Sequence, residues 1–198
     1  MGKKFYRFCC AVMRPIYAVL YPSRTEGIEN VPANGAFILV ANHISARDPF
    51  YLAVRCKTRQ FHFMAKAELF RFKPLALFLK GLDAFPVDRG HNDMGAVRTA
   101  LKLLADGHGL GVFPQGTRSR DNTPTPMLGG VSLIAIRSKQ PVIPAYIDGP
   151  YRLFRRKKVR FGPPVDLSDM RKFDSETLAA ATQRIEKAVW GLGDDPRA

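Results

Sequence analysis

An α/β layer fold is what this sequence predicts, and three observations predict it. Short apolar runs with the character of buried strands alternate with segments of helical apolar spacing. Turn-forming glycines, prolines and asparagines fall between them. The 198 residues suit a single globular core, and neither internal repeats nor low-complexity tracts divide the chain.

In chain order, residues 1–22 form an amphipathic segment ahead of one domain over residues 23–198. Phe5, Tyr6, Phe8, Val12, Met13, Ile16, Tyr17, Leu20 and Tyr21 are interleaved with Arg7, Arg14 and Pro15. No uninterrupted apolar run reaches the roughly 18–20 residues of a membrane span. A helix lying in a membrane interface and a helix packed on its own domain both fit this pattern. Tyr6 breaks the myristoylation pattern that Met1-Gly2 begins, and a signal peptide's clean apolar core and cleavage site are missing. Ala36 to Ala41 is a continuous apolar run, typical of a buried strand. Pro49 suits the first position of a helix, with Asp48 as its N-cap. Further strands are expected at 60–64, 84–87, 110–113, 142–147 and 158–161. From Asp93 to Ala105, Met94, Val97, Leu101 and Leu104 recur at helical spacing; Asn92 or Asp93 suits the start, and Gly107 the end. Helices are also expected at 130–138 and 176–190, the latter capped by Ser175, with a frayed tail over 191–198.

Charge narrows the partners. Lys and Arg number 31 against 17 Asp and Glu, giving +14, and a field of that sign favours anions. Nucleic acid, anionic lipid and phosphorylated substrates all satisfy it. Residues 1–24 hold Lys3, Lys4, Arg7, Arg14 and Arg24 with no acid, and Arg152, Arg155, Arg156, Lys157, Lys158 and Arg160 form a second cluster. Either cluster also reads as a solvated basic face. Cys9, Cys10 and Cys56 have no metal-type spacing and an odd count, which argues for reduced thiols and against a zinc site or disulfide framework.

Four segments hold candidates for chemistry. The strand at 36–41 runs into Asn42-His43-Ile44-Ser45-Ala46-Arg47-Asp48, which brings an imidazole and a carboxylate to one tight loop. A carboxylate beside the ring fixes its tautomer and stabilises the imidazolium, so the other nitrogen is able to take a proton near neutral pH. Taken alone, a helix cap beside a loop histidine explains the pair as simply. The strand at 110–113 runs into Phe113-Pro114-Gln115-Gly116-Thr117-Arg118-Ser119. There Gly116 permits close backbone approach, Thr117 and Ser119 offer hydroxyls, and Arg118 offers a planar fork suited to phosphate. Phe85 to Arg89 is a strand ending in an arginine, and Val142-Ile143-Pro144 is an apolar strand around a proline.

In this order and at this spacing, the four segments resemble the glycerolipid acyltransferase family typified by lysophosphatidate acyltransferases. The family's N-H-x-x-x-x-D is matched by Asn42, His43 and Asp48. Its strand ending in Arg is matched by Phe85 to Arg89, preceded by Lys66-Ala67-Glu68-Leu69. Its F-P-E-G-T-R-S is matched by Phe113 to Ser119, except that Gln115 stands for Glu. Its proline-centred strand is matched by Val142 to Pro144. The likeness covers about residues 24–165. A Lys-Gly pair frequent downstream in the family is replaced here by Gly129-Gly130.

The resemblance implies a mixed, largely parallel sheet flanked by helices, of the glycerol-3-phosphate acyltransferase type. It implies transfer of a fatty acyl group from a thioester, acyl-CoA or acyl carrier protein, to the free hydroxyl of lysophosphatidic acid, giving phosphatidic acid. Another lysophospholipid or an aminolipid is the alternative acceptor. His43 would be the base and Asp48 its partner, with Arg89, Gln115, Gly116, Thr117 and Arg118 binding substrate and neither metal nor cofactor involved. The expected setting is peripheral or monotopic on the cytoplasmic side of the cell membrane, where the N-terminal segment meets anionic lipid. A non-catalytic basic module would explain the charge but not the ordered motifs, and the sequence lacks the aromatic signature or helix-turn-helix of a nucleic-acid binder.

Overall fold

The computed structural model describes residues 2–56, 59–88, 93–119, 122–170 and 172–193. In chain order these form α1 (Gly2–Leu20), β1 (Ser23–Glu26), β2 (Phe37–Ala41), α2 (Asp48–Arg55), β3 (Phe61–Lys66), α3 (Lys73–Gly81), β4 (Phe85–Val87), α4 (Met94–Ala105), β5 (Gly109–Val112), α5 (Gly130–Ser138), β6 (Val142–Ile147), β7 (Lys157–Phe161) and α6 (Ser175–Trp190).

The strands form one sheet in the order β1-β7-β6-β2-β5-β3-β4. Neighbours are parallel throughout except β6 and β7, so the mixed, largely parallel α/β sheet expected from the sequence is what forms. Central β2 shows why its sequence is apolar without a break. Phe37, Leu39 and Ala41 enter a core with Tyr6 of α1 and Tyr51 and Leu52 of α2. Ile38 and Val40 enter a second core with Leu104 of α4, Ile134 of α5 and Val189 of α6. Both faces of the strand are buried, as parallel sheets require.

Glycine has a packing role in β5. A Cβ on Gly111 would lie 2.3 Å from Cε1 of Phe63, so only glycine leaves room for that ring. Phe63 in turn stacks on Phe113 at 5.8 Å between ring centres.

α1 satisfies one of its two sequence readings directly. Tyr6 and Tyr17 are each 5% exposed within the first core, so this face packs on the domain. Phe8, Val12, Ile16 and Val19, at spacings of three and four, remain exposed on a neighbouring stripe. No helix among the described residues is long and apolar enough to cross a membrane.

Several local expectations change. Asp174, not Ser175, caps α6: its side chain accepts from the N–H of Thr177. The second basic cluster splits, because β7 turns Lys157 into the interior and pairs Arg160 with Glu26 and Asp148. Arg152, Arg155 and Arg156 stay exposed. β1, a polar edge strand of four residues, and α3, with Leu77 exposed, are not among the elements expected from the sequence. Asn92 and residues 194–198 of the expected tail lie outside the described residues. The three cysteines are free thiols.

Candidate active site

The C-terminal edge of the parallel strands gathers the candidate residues, where open α/β sheets place their ligands. β2 lies between β6 and β5, so the loop after β2 meets the loops after both neighbours. Asn42 secures one side. Its buried side chain donates to the carbonyl of Ile147 at 2.9 Å and accepts from the N–H of Ile147 at 2.8 Å, closing the end of β6 onto β2. It also donates to Asn122 at 2.6 Å.

The loop after β5 secures the other side. The N–H of His43 donates to Oε1 of Gln115, and its carbonyl accepts from the N–H of Ser119 at 2.8 Å. Both backbone groups of His43 are thereby set by the 113–119 segment. The imidazole stacks on Phe113 at 4.4 Å between ring centres.

Asp48 is wholly buried, and its carboxylate does not cap α2 as the sequence suggested. The helix begins at Asp48 itself, with Pro49 its second residue, and the Asp48 side chain turns back into the loop. Oδ2 accepts from Nδ1 of His43 at 2.8 Å, from the N–H of Ile44 at 2.7 Å and from the N–H of Ser45 at 2.8 Å. A carboxylate with three donors on one oxygen is fixed in place. His43 therefore carries its proton on Nδ1 when neutral, and Nε2 is the basic atom. Nε2 has no partner among the described residues.

Oδ1 of Asp48 accepts from the hydroxyl of Tyr151 at 2.8 Å, a residue that sequence reasoning missed. Burial, and then the adjacent Asp48 carboxylate, push this phenol far above its ordinary value, so it remains a donor. Tyr151 is held edge-on between Tyr21, at 5.5 Å, and Tyr51, at 5.3 Å. Lys157 lies over its ring with Nζ 3.7 Å from the centre. Burial pulls that lysine down to about 8, against the opposing influence of Asp48 and Asp148. A tyrosine 103 residues from its carboxylate, outside the four segments, left no local signal.

Two cavities meet beside this pair. An open groove of about 800 Å³ is lined by Phe8, Val12 and Tyr17 of α1, by Ser45 and Arg47, and by Arg118 and Tyr151. A more enclosed cavity of about 300 Å³ is lined by His43, Arg118 and a mostly apolar wall that includes Cys10, Val54, Phe63, Leu79 and Leu82. Arg118 borders both.

The sequence candidates thus divide. His43, Asp48 and Arg118 come together, with Thr117 exposed next to Arg118 and Gly116 at φ 68°, the left-handed conformation that glycine accepts without strain. Gln115 is buried, and its amide bridges the N–H of His43 and the hydroxyl of Thr125, so it acts as a brace. A glutamate there could accept from the N–H of His43 and, with the hydroxyl of Thr125 turned to donate, from Thr125, which explains how either residue fits. Arg89 lies outside the described residues, as does His91. His62 and His108 contact each other at 4.8 Å, remote from the pair, and burial lowers the pKa of His62.

Residues 23–148 match the family model described as Acyltransferase. Over 190 residues the chain is 34% identical to a 1-acyl-sn-glycerol-3-phosphate acyltransferase of Bacillus subtilis, covering 93% of this chain and 94% of that relative. A protein of the same name from Streptococcus pneumoniae is 32% identical over 179 residues, covering 87% of this chain and 66% of the relative. Among solved structures, the 1-acyl-sn-glycerophosphate (LPA) acyltransferase of Thermotoga maritima aligns with a TM-score of 0.71 at 25% identity, over 96% of this chain and 78% of that one.

Proposed function

This chain belongs to the acyltransferase family, and from that premise we propose that it acylates the free hydroxyl of 1-acyl-glycerol 3-phosphate, forming phosphatidic acid. The observation that carries the reading is the His43–Asp48 pair at the junction of two cavities, with Nε2 unengaged and Arg118 bordering both. The acceptor hydroxyl gives its proton to Nε2 of His43 as its oxygen attacks the thioester carbonyl. Asp48 stabilises the imidazolium so formed. The tetrahedral intermediate collapses with cleavage of the C–S bond, and the imidazolium returns the proton to the departing sulfur. No covalent acyl-enzyme is needed.

The two cavities suit the two chains involved. The enclosed apolar cavity would take the donor's acyl chain, with its thioester carbonyl beside His43. The open groove would take the lysophospholipid, with Arg118 on its phosphate and the apolar side chains of α1 along its acyl chain. The exposed stripe of α1 would rest on the cytoplasmic leaflet, its neighbouring cations facing anionic headgroups.

Thioester cleavage measured with acyl-CoA and with acyl carrier protein, against a panel of lysophosphatidate, other lysophospholipids and aminolipids, tests the assignment. Turnover is expected with lysophosphatidate from at least one donor; turnover only with a different acceptor would overturn it. Arg118→Ala should raise the KM for the acceptor by roughly 10- to 100-fold, since a hydrogen bond to a charged group contributes about 1.5–3 kcal/mol. The donor's KM should change far less, and equal effects on both substrates would remove Arg118 from the phosphate.

A further inference from the structure

We propose that the loop of residues 152–156 is a second lipid-insertion element, whose Leu153-Phe154 tip enters an anionic bilayer while Arg152, Arg155 and Arg156 hold its headgroups. The proposal rests on the reading of α1 as a membrane-resting helix and extends it to a part of the chain far away in sequence.

The tip is apolar and bare. Leu153 is 56% exposed and Phe154 67% exposed. The loop that presents them is built rather than loose. The N–H of Phe154 donates to the carbonyl of Leu20 at 2.8 Å, and the N–H of Lys157 donates to the carbonyl of Pro22 at 2.9 Å. Arg155 closes a turn onto the carbonyl of Arg152. Phe154 also adopts φ 60°, a left-handed conformation that bulky residues rarely take and that persists only where the surroundings impose it. A strained turn that keeps two large apolar side chains in water is hard to explain by folding alone.

Charge and position choose the occupant. Arg152, Arg155 and Arg156 are exposed, and none is ion-paired among the described residues. In the same run Lys157 is buried and Arg160 is paired, so the chain leaves outside the three cations that flank the tip. The loop is tied to the C-terminal end of α1, beside Val19, which is 64% exposed and ends that helix's bare stripe. Apolar tip and apolar stripe therefore adjoin. Pro150 and Tyr151, just before the loop, line the open groove together with Phe8 and Val12 of α1. A bilayer meeting both elements would border the groove on two sides, and an acceptor lipid could enter without leaving the leaflet. An acidic carrier protein would also answer the arginines, but it leaves the apolar tip and the adjoining stripe unexplained.

Flotation of the full chain with phosphatidylcholine vesicles, with and without phosphatidylglycerol, tests this. Leu153→Ser/Phe154→Gly removes the tip and relieves the backbone at 154, so the fold should hold, as thermal melting will check. This variant should bind both kinds of vesicle at least tenfold more weakly. Arg152→Gln/Arg155→Gln/Arg156→Gln should lose at least tenfold on phosphatidylglycerol vesicles only, each cation near an anionic surface contributing about fivefold. Separately, a tryptophan placed by Phe154→Trp should be quenched by brominated lipid beyond the background of Trp190. Unchanged binding of both loop variants, or no added quenching, overturns the proposal. Phe8→Ser/Val12→Ser/Ile16→Ser is the companion measurement. If it alone loses binding, the loop proposal fails and the membrane reading of α1 stands; if no variant loses binding, that reading fails as well. Reduced turnover of the arginine variant with carrier-protein donor, at unchanged vesicle binding, would make the loop a carrier-protein dock and also overturn the proposal.

Discussion

Acyl transfer by His43→Ala is expected to fall by about 10²–10⁴-fold, the usual contribution of a positioned general base, with the fold retained. Retention follows from how His43 is held. Its backbone, not its ring, makes the bonds to Gln115 and Ser119 that join the loops after β2 and β5. Asp48 would keep the N–H groups of Ile44 and Ser45 and the hydroxyl of Tyr151, so no orphaned buried charge results. The local loss is the stacking of the ring on Phe113 and a small cavity where it stood. Release of free thiol from the donor measures the chemistry, and thermal melting measures the fold. Turnover near that of the wild type would mean that another group deprotonates the acceptor.

Chemistry confined to a short stretch was legible in the sequence. Asn42, His43 and Asp48 lie within seven residues, and Pro49 marks the helix start beside them. What Asp48 does there was only half legible: a carboxylate before a proline reads as a cap, whereas three donors from the preceding loop claim one of its oxygens instead. Tyr151 was illegible because its bond to Asp48 depends on β6 lying next to β2, which no local pattern specifies. Gln115 read as a substrate contact because its neighbours Gly116 to Arg118 do; only the fold shows its amide turned inward to His43. The basic run of 152–160 shows the same limit. Its charges are equivalent in a composition count, yet β7 buries Lys157 and pairs Arg160 while the loop leaves the arginines outside.

Asp48→Asn is expected to lower turnover by on the order of 10³-fold while leaving the melting temperature close to that of the wild type. Asparagine has the shape of aspartate, and the partners around position 48 are able to accommodate it. Its amide oxygen would take the place of Oδ2 and accept from Ile44, Ser45 and Nδ1 of His43. Its amide nitrogen would then face Tyr151, whose hydroxyl rotates to accept rather than donate. Geometry and tautomer survive, and the charge that stabilises the imidazolium in the transition state is lost. Asp48→Ala separates the two roles, since it also strips the acceptor from four buried or half-buried donors and should cost several kcal/mol of stability. Tyr151→Phe is milder: losing one donor to Oδ1 should lower kcat about tenfold, with both KM values little changed. In the Asp48→Asn background the same change leaves a buried amide without an acceptor, so the double variant should be less stable than the sum of the single effects. Wild-type turnover in Asp48→Asn would show that the carboxylate only builds the loop, and that His43 works without its charge.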